Sequence, residues 1–252
     1  MALSISISAE TVAHIGSFPI SNSMLTSIVV SVVIVAFAFI ANKSLKNTGK
    51  PSRFQAFVEL IIESLSQLCL DITGSAAKAT KFAPLVISFF LFILLNNWFG
   101  LIPGVGAIGF TSPESTFVPY FRAGTADLNT TLALAIISVF MTQVFGFGAL
   151  GIHYSQKYLN LKDPIMFFVG ILETVLEFAK IISFAFRLFG NIFAGEVLLS
   201  VMTFLVPLIV PMPFYGMELF VGVIQALVFA MLSLVFFNLA ILGHEEIEEE
   251  HA

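Results

Sequence analysis

Long apolar segments, separated by short polar stretches, make up most of the sequence. Three of them approach or exceed the length of about 20 residues with which a helix crosses the hydrocarbon core of a bilayer, and two later ones are longer. This pattern predicts an all-α integral membrane protein with about five membrane crossings, built as a single membrane domain over residues 1–252. The predicted crossings are 24–41, 82–103, 128–152, 164–207 and 214–243.

The last two segments are too long for upright crossings. Residues 164–207 would form a helix of roughly 60 Å, whereas the hydrocarbon core is about 30 Å thick. We therefore expect a hairpin of two long, strongly tilted helices that turns at Pro207, Pro211 and Pro213.

Two further segments have a mixed character. Residues 54–72 combine apolar side chains with the acidic Glu59 and Glu63, which predicts an amphipathic helix on the cytoplasmic membrane surface. Residues 104–127 are rich in Gly and Pro and predict a loop. Residues 1–23 lack the basic start of a signal peptide, so the first apolar segment is expected to be retained.

Composition supports the membrane assignment and excludes several functions. The chain is 58% hydrophobic and 11% charged, and its mean hydropathy is +1.00, whereas soluble domains carry about a quarter charged residues. Basic residues are too few and scattered for nucleic-acid binding. The single Cys69 excludes an internal disulfide and a cysteine metal site.

Motifs for catalysis are absent from the sequence. It contains no phosphate-binding loop, no H-E-x-x-H and no nucleophile elbow, so we expect no nucleotide chemistry, no cofactor and no enzyme activity of the chain by itself. The acidic C-terminal HEEIEEEH is expected to be a solvated tail rather than a metal site.

The distribution of basic residues predicts the orientation. In the five-crossing scheme eight of them lie on one side and only Arg122 lies on the other, which places the N-terminus outside and the C-terminus in the cytoplasm. The eight are Lys43, Lys46, Lys50, Arg53, Lys78, Lys81, Lys157 and Lys162.

Arg187, Asn191 and Glu196 stand within the long apolar run of the first hairpin helix. At about 100° per residue, Asn191 lies about 40° from Arg187 and Glu196 about 180° away. A charge at mid-membrane costs at least about 2.5 kcal/mol on insertion scales, so it indicates a function. The alternatives for Arg187 are a structural salt bridge to Glu218 and snorkelling to the interface, which the flanking apolar sequence disfavours.

Small side chains surround Arg187 on its own helix face. Ser183, Gly190 and Ala194 allow another helix to approach closely, and no carboxylate shares this face at the same depth. We therefore expect the counter-charge of Arg187 to lie elsewhere.

Other polar residues of the hairpin are candidates for an ion path. Glu218 and Gln225 share a face of the last helix, where they either carry a proton or bond a neighbouring helix. Glu196 and Glu218 either form a proton relay across the hairpin or line a water pocket. Glu173 is a candidate for a cytoplasmic opening, whereas Glu177 and Lys180 have the spacing of an ordinary helix pair.

Asn97 and Asp127 add polar groups on the outer side. Asp127 directly precedes an apolar helix, so capping of that helix is its more plausible role.

Five sequence strings resemble subunit a of the F-type ATP synthase, and the resemblance covers nearly the whole chain. The arginine string is the most specific. The strings are FRLFGNIFAGEVLL, FPISNSM, NNWFGLIP, ADLNTTLALA and VGVIQALVFAMLSLVFF.

The resemblance implies a role for several residues. Arg187 takes the place of the family's essential arginine, and Glu218 stands where some members have His. Gly100 replaces an acid that some relatives carry in the second crossing. The remaining ion-path residues implied are Asn191, Glu196 and Gln225, together with Glu173 and Lys180.

The resemblance also implies the setting of the chain. Its partners would be a ring of c subunits, a b-type peripheral stalk, the rest of the synthase and the lipid of an energy-coupling membrane, such as a bacterial inner membrane. Ions would load a ring carboxylate through an outer half-channel and leave through an offset cytoplasmic one, with Arg187 separating the two.

Two other classes compete with this function. A self-contained transporter or channel would need paired half-helices or internal symmetry, and the sequence has neither. A passive membrane scaffold would not need charges at mid-membrane depth.

Overall fold

The computed structural model describes residues 9–44, 52–111, 117–158, 164–207 and 209–242. Lys46, Lys50 and Lys162 of the orientation argument and the acidic C-terminal tail lie outside the described residues. Six long helices make up most of the described chain: α1 Asn22–Ser44, α2 Arg53–Thr73, α3 Ala76–Gly100, α4 Leu128–Leu150, α5 Pro164–Leu205 and α6 Pro211–Leu242.

Four of these helices, α1, α3, α4 and α6, are long and apolar enough to cross a membrane. Helix α5, with 42 residues, is not among these four. At 1.5 Å per residue it is about 60 Å long, twice the thickness of the hydrocarbon core. The hairpin α5–α6 therefore has the length that the tilted arrangement requires.

Helix α2 is amphipathic. The Ser52 side chain accepts a hydrogen bond from the backbone N–H of Gln55, and Gly74, with φ of 63°, ends the helix in the left-handed conformation. Its buried face includes Leu65 and Cys69, which join the main core, whereas Phe57 points outward.

Helix α6 lies at the centre of the bundle and packs against α2, α3, α4 and α5. Helices α5 and α6 are antiparallel, since Gly195 meets Glu218 near the turn and Lys180 meets Phe236 at the far end. Aromatic rings fill the core. Phe82 of α3 contacts Phe145 of α4 at 4.9 Å between ring centroids and Phe237 of α6 at 5.8 Å.

The two ends of the bundle differ. One end, which we name the Asp127 end, joins the start of α1 to the loop before α4, since the Ser23 hydroxyl donates to Asp127. The other, the Lys81 end, holds the start of α3 and the end of α4, where the Lys81 ammonium lies 5.6 Å from the Phe145 ring.

The prediction of an irregular loop over 104–127 is wrong in part. It contains a two-stranded antiparallel sheet of β3 Gly109–Thr111 and β4 Phe117–Pro119, and two 3₁₀ turns, Val105–Ala107 and Gly124–Ala126. A second antiparallel hairpin, β1 Thr11–Ile15 and β2 Phe18–Ser21, precedes α1 and was not predicted either. Strands of three to five residues among turn residues are too short to give a clear alternation of apolar and polar positions.

Phe82→Ala should lower the free energy of unfolding by about 3 kcal/mol, because the cavity removes ring contacts to two other helices. The measurement is thermal unfolding of the purified protein in detergent, followed by circular dichroism. Phe140→Ala is the matched control, since Phe140 is 63% exposed on α4 whereas Phe82 is 0% exposed. Equal losses in the two variants would contradict a packed core at Phe82.

Candidate functional site

A polar cleft of about 780 Å³ opens at the Asp127 end, between α3, the loop before α4, α5 and α6. Most of its walls are apolar or backbone, so its polar side chains stand out. They are Asn97, Arg122, Glu196, Ser200, Thr203, Tyr215 and Glu218.

Arg122 and Glu196 form an ion pair across the cleft. Nη2 of Arg122 lies 3.0 Å from Oε2 of Glu196, and Nε donates to the same oxygen at 3.1 Å. The Arg122 side chain is 8% exposed and the Glu196 side chain 39% exposed. The guanidinium is therefore buried, whereas the carboxylate still reaches the open part of the cleft.

Glu218 enters the same cleft from α6 and is 4% exposed. Its carboxylate lies against the backbone of Gly195, where a Cβ atom would overlap with it. No group in the described part of the chain hydrogen-bonds to its buried Oε1. Glu196 and Glu218 thus line one cleft, as the sequence suggested, but Glu196 bonds to Arg122 rather than to Glu218.

Asn191 and Arg187 lie one turn apart on α5. Nδ2 of Asn191 donates to Oε1 of Gln225 at 2.6 Å, which joins the two hairpin helices through an amide pair. Arg187 is exposed, and within the described ranges no ion pair or hydrogen bond reaches its side chain. The alternative of a structural salt bridge between Arg187 and Glu218 is therefore not found among these residues.

Asn97 and Asp127 connect helix ends. Nδ2 of Asn97 donates to the carbonyl of Gly222 at 3.1 Å, and its Oδ1 accepts from the Thr125 hydroxyl. Oδ1 of Asp127 accepts from the backbone N–H of Asn129 at 2.9 Å, so the predicted helix cap is confirmed. Its Oδ2 accepts from the Ser23 hydroxyl of α1.

A second polar cluster lies toward the Lys81 end. Lys180 and Glu177 form an ion pair at 2.8 Å, which confirms the ordinary helix pair that their spacing suggested. The Tyr158 hydroxyl has two acceptors within hydrogen-bond distance, Oε1 of Gln143 at 3.0 Å and Oε1 of Glu177 at 3.4 Å, and it donates its one hydrogen to either of them. Burial raises the pKa of Tyr158, so its hydroxyl stays a hydrogen-bond donor. Glu173 is half-buried one turn earlier on α5.

The sequence-based selection missed several residues of these clusters, among them Arg122, Tyr158 and Gln143. In the sequence Arg122 is recognisable only as a charge in a loop, because its partner Glu196 is 74 positions away. Tyr158 and Gln143 are neutral and stand next to no motif. The polarity of Gln143 within an apolar helix was the one available signal.

The described ranges contain no group of three or more His, Cys, Asp or Glu side chains that could hold a metal ion. The cleft instead holds one ion pair and one buried carboxyl whose Oε1 has no donor in the described part of the chain.

The model of the ATP synthase A chain family matches residues 24–238, which include α2 to α5 in full, most of α1 and α6, and every residue of the cleft. The chain belongs to this family. It is therefore a multi-pass membrane subunit of an F-type ATP synthase and takes part in proton translocation by the membrane sector. The resemblance seen in the arginine string and its companions is confirmed over most of the sequence.

Asp127→Ala should destabilise this ATP synthase A chain by about 1 kcal/mol, because the first turn of α4 loses its cap. Asp127→Asn is the matched variant, since Asn caps helices as well as Asp does but removes the charge. Thermal unfolding of both purified proteins gives the comparison. An equal loss in both variants would show that the charge, not the cap, stabilises this end of the bundle.

Proposed function

We propose that this subunit is the ion-translocating stator element of the synthase, with two offset half-channels that load and unload a carboxylate on a c-subunit ring. Arg187 separates the half-channels and couples ion flow to rotation. The observation that carries the proposal is the exposed Arg187, which lacks a partner in the described chain, on a helix whose opposite face reaches a cleft with a buried carboxyl.

The outer half-channel is assigned to the cleft at the Asp127 end. Glu196 and Glu218 belong to its polar wall. Gln225 accepts a hydrogen bond from Asn191 between the two hairpin helices, and Asn97 and Asp127 hold the surrounding elements in place. The assignment is supported by the burial of Glu218, because an ionisable side chain inside an apolar membrane bundle is costly and commonly marks an ion or proton pathway.

The cytoplasmic half-channel is assigned to the opposite end of α5, where Glu173 and Lys180 lie. Lys180 is about 10 Å of helix from Arg187 and Glu173 about 20 Å, at 1.5 Å per residue. The two proposed openings then lie on opposite sides of Arg187 along the same helix. An ion can then pass from one opening to the other only while it is bound to a ring carboxylate and the ring rotates.

The ring is expected to contact one face of α5. Ala179, Ser183, Arg187, Asn191 and Ala194 are exposed on this face, and most of them are small. Small residues permit close approach of a neighbouring helix, and Arg187 would then face the ring carboxylate. Each charge moved through 100 mV supplies about 2.3 kcal/mol, which several ions per turn convert into torque.

The remaining partners and the orientation follow from the same proposal. A b-type peripheral stalk would hold the subunit against the turning ring, in an energy-coupling membrane such as the bacterial inner membrane. The N-terminus would lie outside and the C-terminus in the cytoplasm. A self-contained transporter and a passive scaffold are both disfavoured by family membership.

Arg187→Ala should abolish ATP synthesis driven by an ion gradient while leaving the complex assembled, because the ring carboxylate loses its permanent counter-charge. Arg187→Lys should also be strongly impaired, since a desolvated lysine can lose its proton. The measurement uses the reconstituted complex in vesicles. Arg53→Ala, which removes an exposed cation on α2, is the control.

Two results would contradict this role of Arg187. Near-normal synthesis by the alanine variant would reject the separator. Loss of the subunit from the purified complex would assign Arg187 a structural role instead.

Single-cysteine labelling in a Cys69→Ala background tests the orientation. Ser52→Cys should react with a membrane-impermeant maleimide from the cytoplasmic side, and Thr111→Cys from the outside, since both positions are exposed. Reaction of both positions from the same side would contradict the five-crossing scheme.

A further inference from the structure

We infer that Arg122 is a positioning residue of the outer half-channel: it holds Glu196 as a fixed counter-ion and thereby leaves Glu218 as the carboxyl that exchanges the translocated ion. The inference rests on the proposed function and gives the two carboxylates of the cleft different roles. Nothing in the family match distinguishes them.

Arg122 is held from several sides. Its backbone N–H donates to the Thr26 hydroxyl of α1 at 3.3 Å, and its guanidinium stands 5.9 Å from the Phe193 ring of α5. Two of its N–H groups reach the same oxygen of Glu196. A guanidinium presents its donors in a rigid plane, so this grip also fixes the direction of the Glu196 carboxylate.

Glu196 cannot take up a second cation without disturbing this pair. A proton or metal ion bound at either carboxylate oxygen would offset the negative charge that holds Arg122, and the buried guanidinium would then lose this ion pair. Removing one member of a buried ion pair is strongly unfavourable because the other charge stays desolvated. Glu196 is thus suited to steering cations into the cleft, not to carrying them through it.

Glu218 has the complementary properties. It lies deeper, its Oε1 lacks a donor in the described part of the chain, and Gly195 leaves room for its carboxylate against the α5 backbone. A buried polar atom without a partner is under-satisfied, and a proton or a water molecule entering the cleft would satisfy it. Tyr215 is the other titratable side chain of α6 that lines the cleft.

The experiment measures ATP-driven proton pumping by the assembled synthase in vesicles, normalised to the amount of complex. Glu218→Gln should reduce pumping to background. Arg122→Gln and Glu196→Gln should each reduce it by roughly tenfold to a hundredfold, because misplacing a site residue by about 1 Å can cost ~10² in rate. The double variant Arg122→Gln/Glu196→Gln should be no worse than either single one, since both remove the same pair.

Rescue separates positioning from a general structural role. Arg122→Lys keeps a cation within reach of Glu196 and should recover part of the pumping. The exchanged pair Arg122→Glu/Glu196→Arg should pump better than either of its single changes. Arg53→Gln, a lost cation outside the cleft, should pump like the unchanged protein. Co-purification of the subunit with the complex is measured for every variant.

Several outcomes overturn the inference. A Glu196→Gln variant as inactive as Glu218→Gln would make Glu196 a carrier. Pumping by Arg122→Gln at the unchanged rate, with Glu218→Gln inactive, would remove Arg122 from the path while leaving the proposed function intact. Normal pumping by Glu218→Gln would reject the outer half-channel itself. Loss of the Arg122 variants from the complex would assign Arg122 to assembly.

Discussion

The hydrocarbon core of a membrane offers no hydrogen-bond partners, so each polar side chain of the bundle needs a partner within the protein, in water or on another subunit. Most of the described polar groups meet this requirement inside the chain. Asn191 bonds Gln225, Asn97 bonds the α6 backbone, and Ser138 and Ser233 bond each other at 2.7 Å between α4 and α6. These pairs also fix which helices are neighbours and in which register they pack, because each pair forms at only one relative position.

The carboxyl of Glu218 does not meet the requirement, and the surroundings indicate why it is retained. Arg122 already compensates Glu196, so the cleft as a whole contains one neutralised carboxylate and one that is not. If Glu196 and Glu218 were both paired with cationic side chains, neither carboxylate would be free to bind an ion. If neither were, two adjacent carboxylates would repel each other in a medium of low dielectric constant. The arrangement between these extremes leaves one carboxyl without a compensating cation in the described part of the chain, and on our proposal this is the group that exchanges the ion.

Hydropathy and helix periodicity predict the helices of this molecule. They do not predict the contacts that join separate elements. The helices lie within a few residues of the predicted segments, except that α3 starts at Ala76 rather than 82, since its first turns are helical without being apolar. Arg187, Asn191 and Glu196 stand out because they lie on one helix, where spacing converts directly into direction. The Arg122–Glu196 pair and the packing of Glu218 on Gly195 join separate elements. No periodicity encodes such contacts, so only the folded chain reveals them.

Arg122 and Arg187 have opposite surroundings. Arg122 comes from a loop, is buried and pairs with Glu196, whereas Arg187 sits on a helix and is exposed. A loop arginine can reach its carboxylate within the chain, and it is satisfied before any partner arrives. On the proposed function, a cation on the outer face of this membrane helix gains its counter-charge when another subunit brings a carboxylate to it. We therefore expect the free-energy cost of holding the Arg187 charge in the membrane to depend on the assembled complex. This dependence would allow the charge to act on a partner that moves past it.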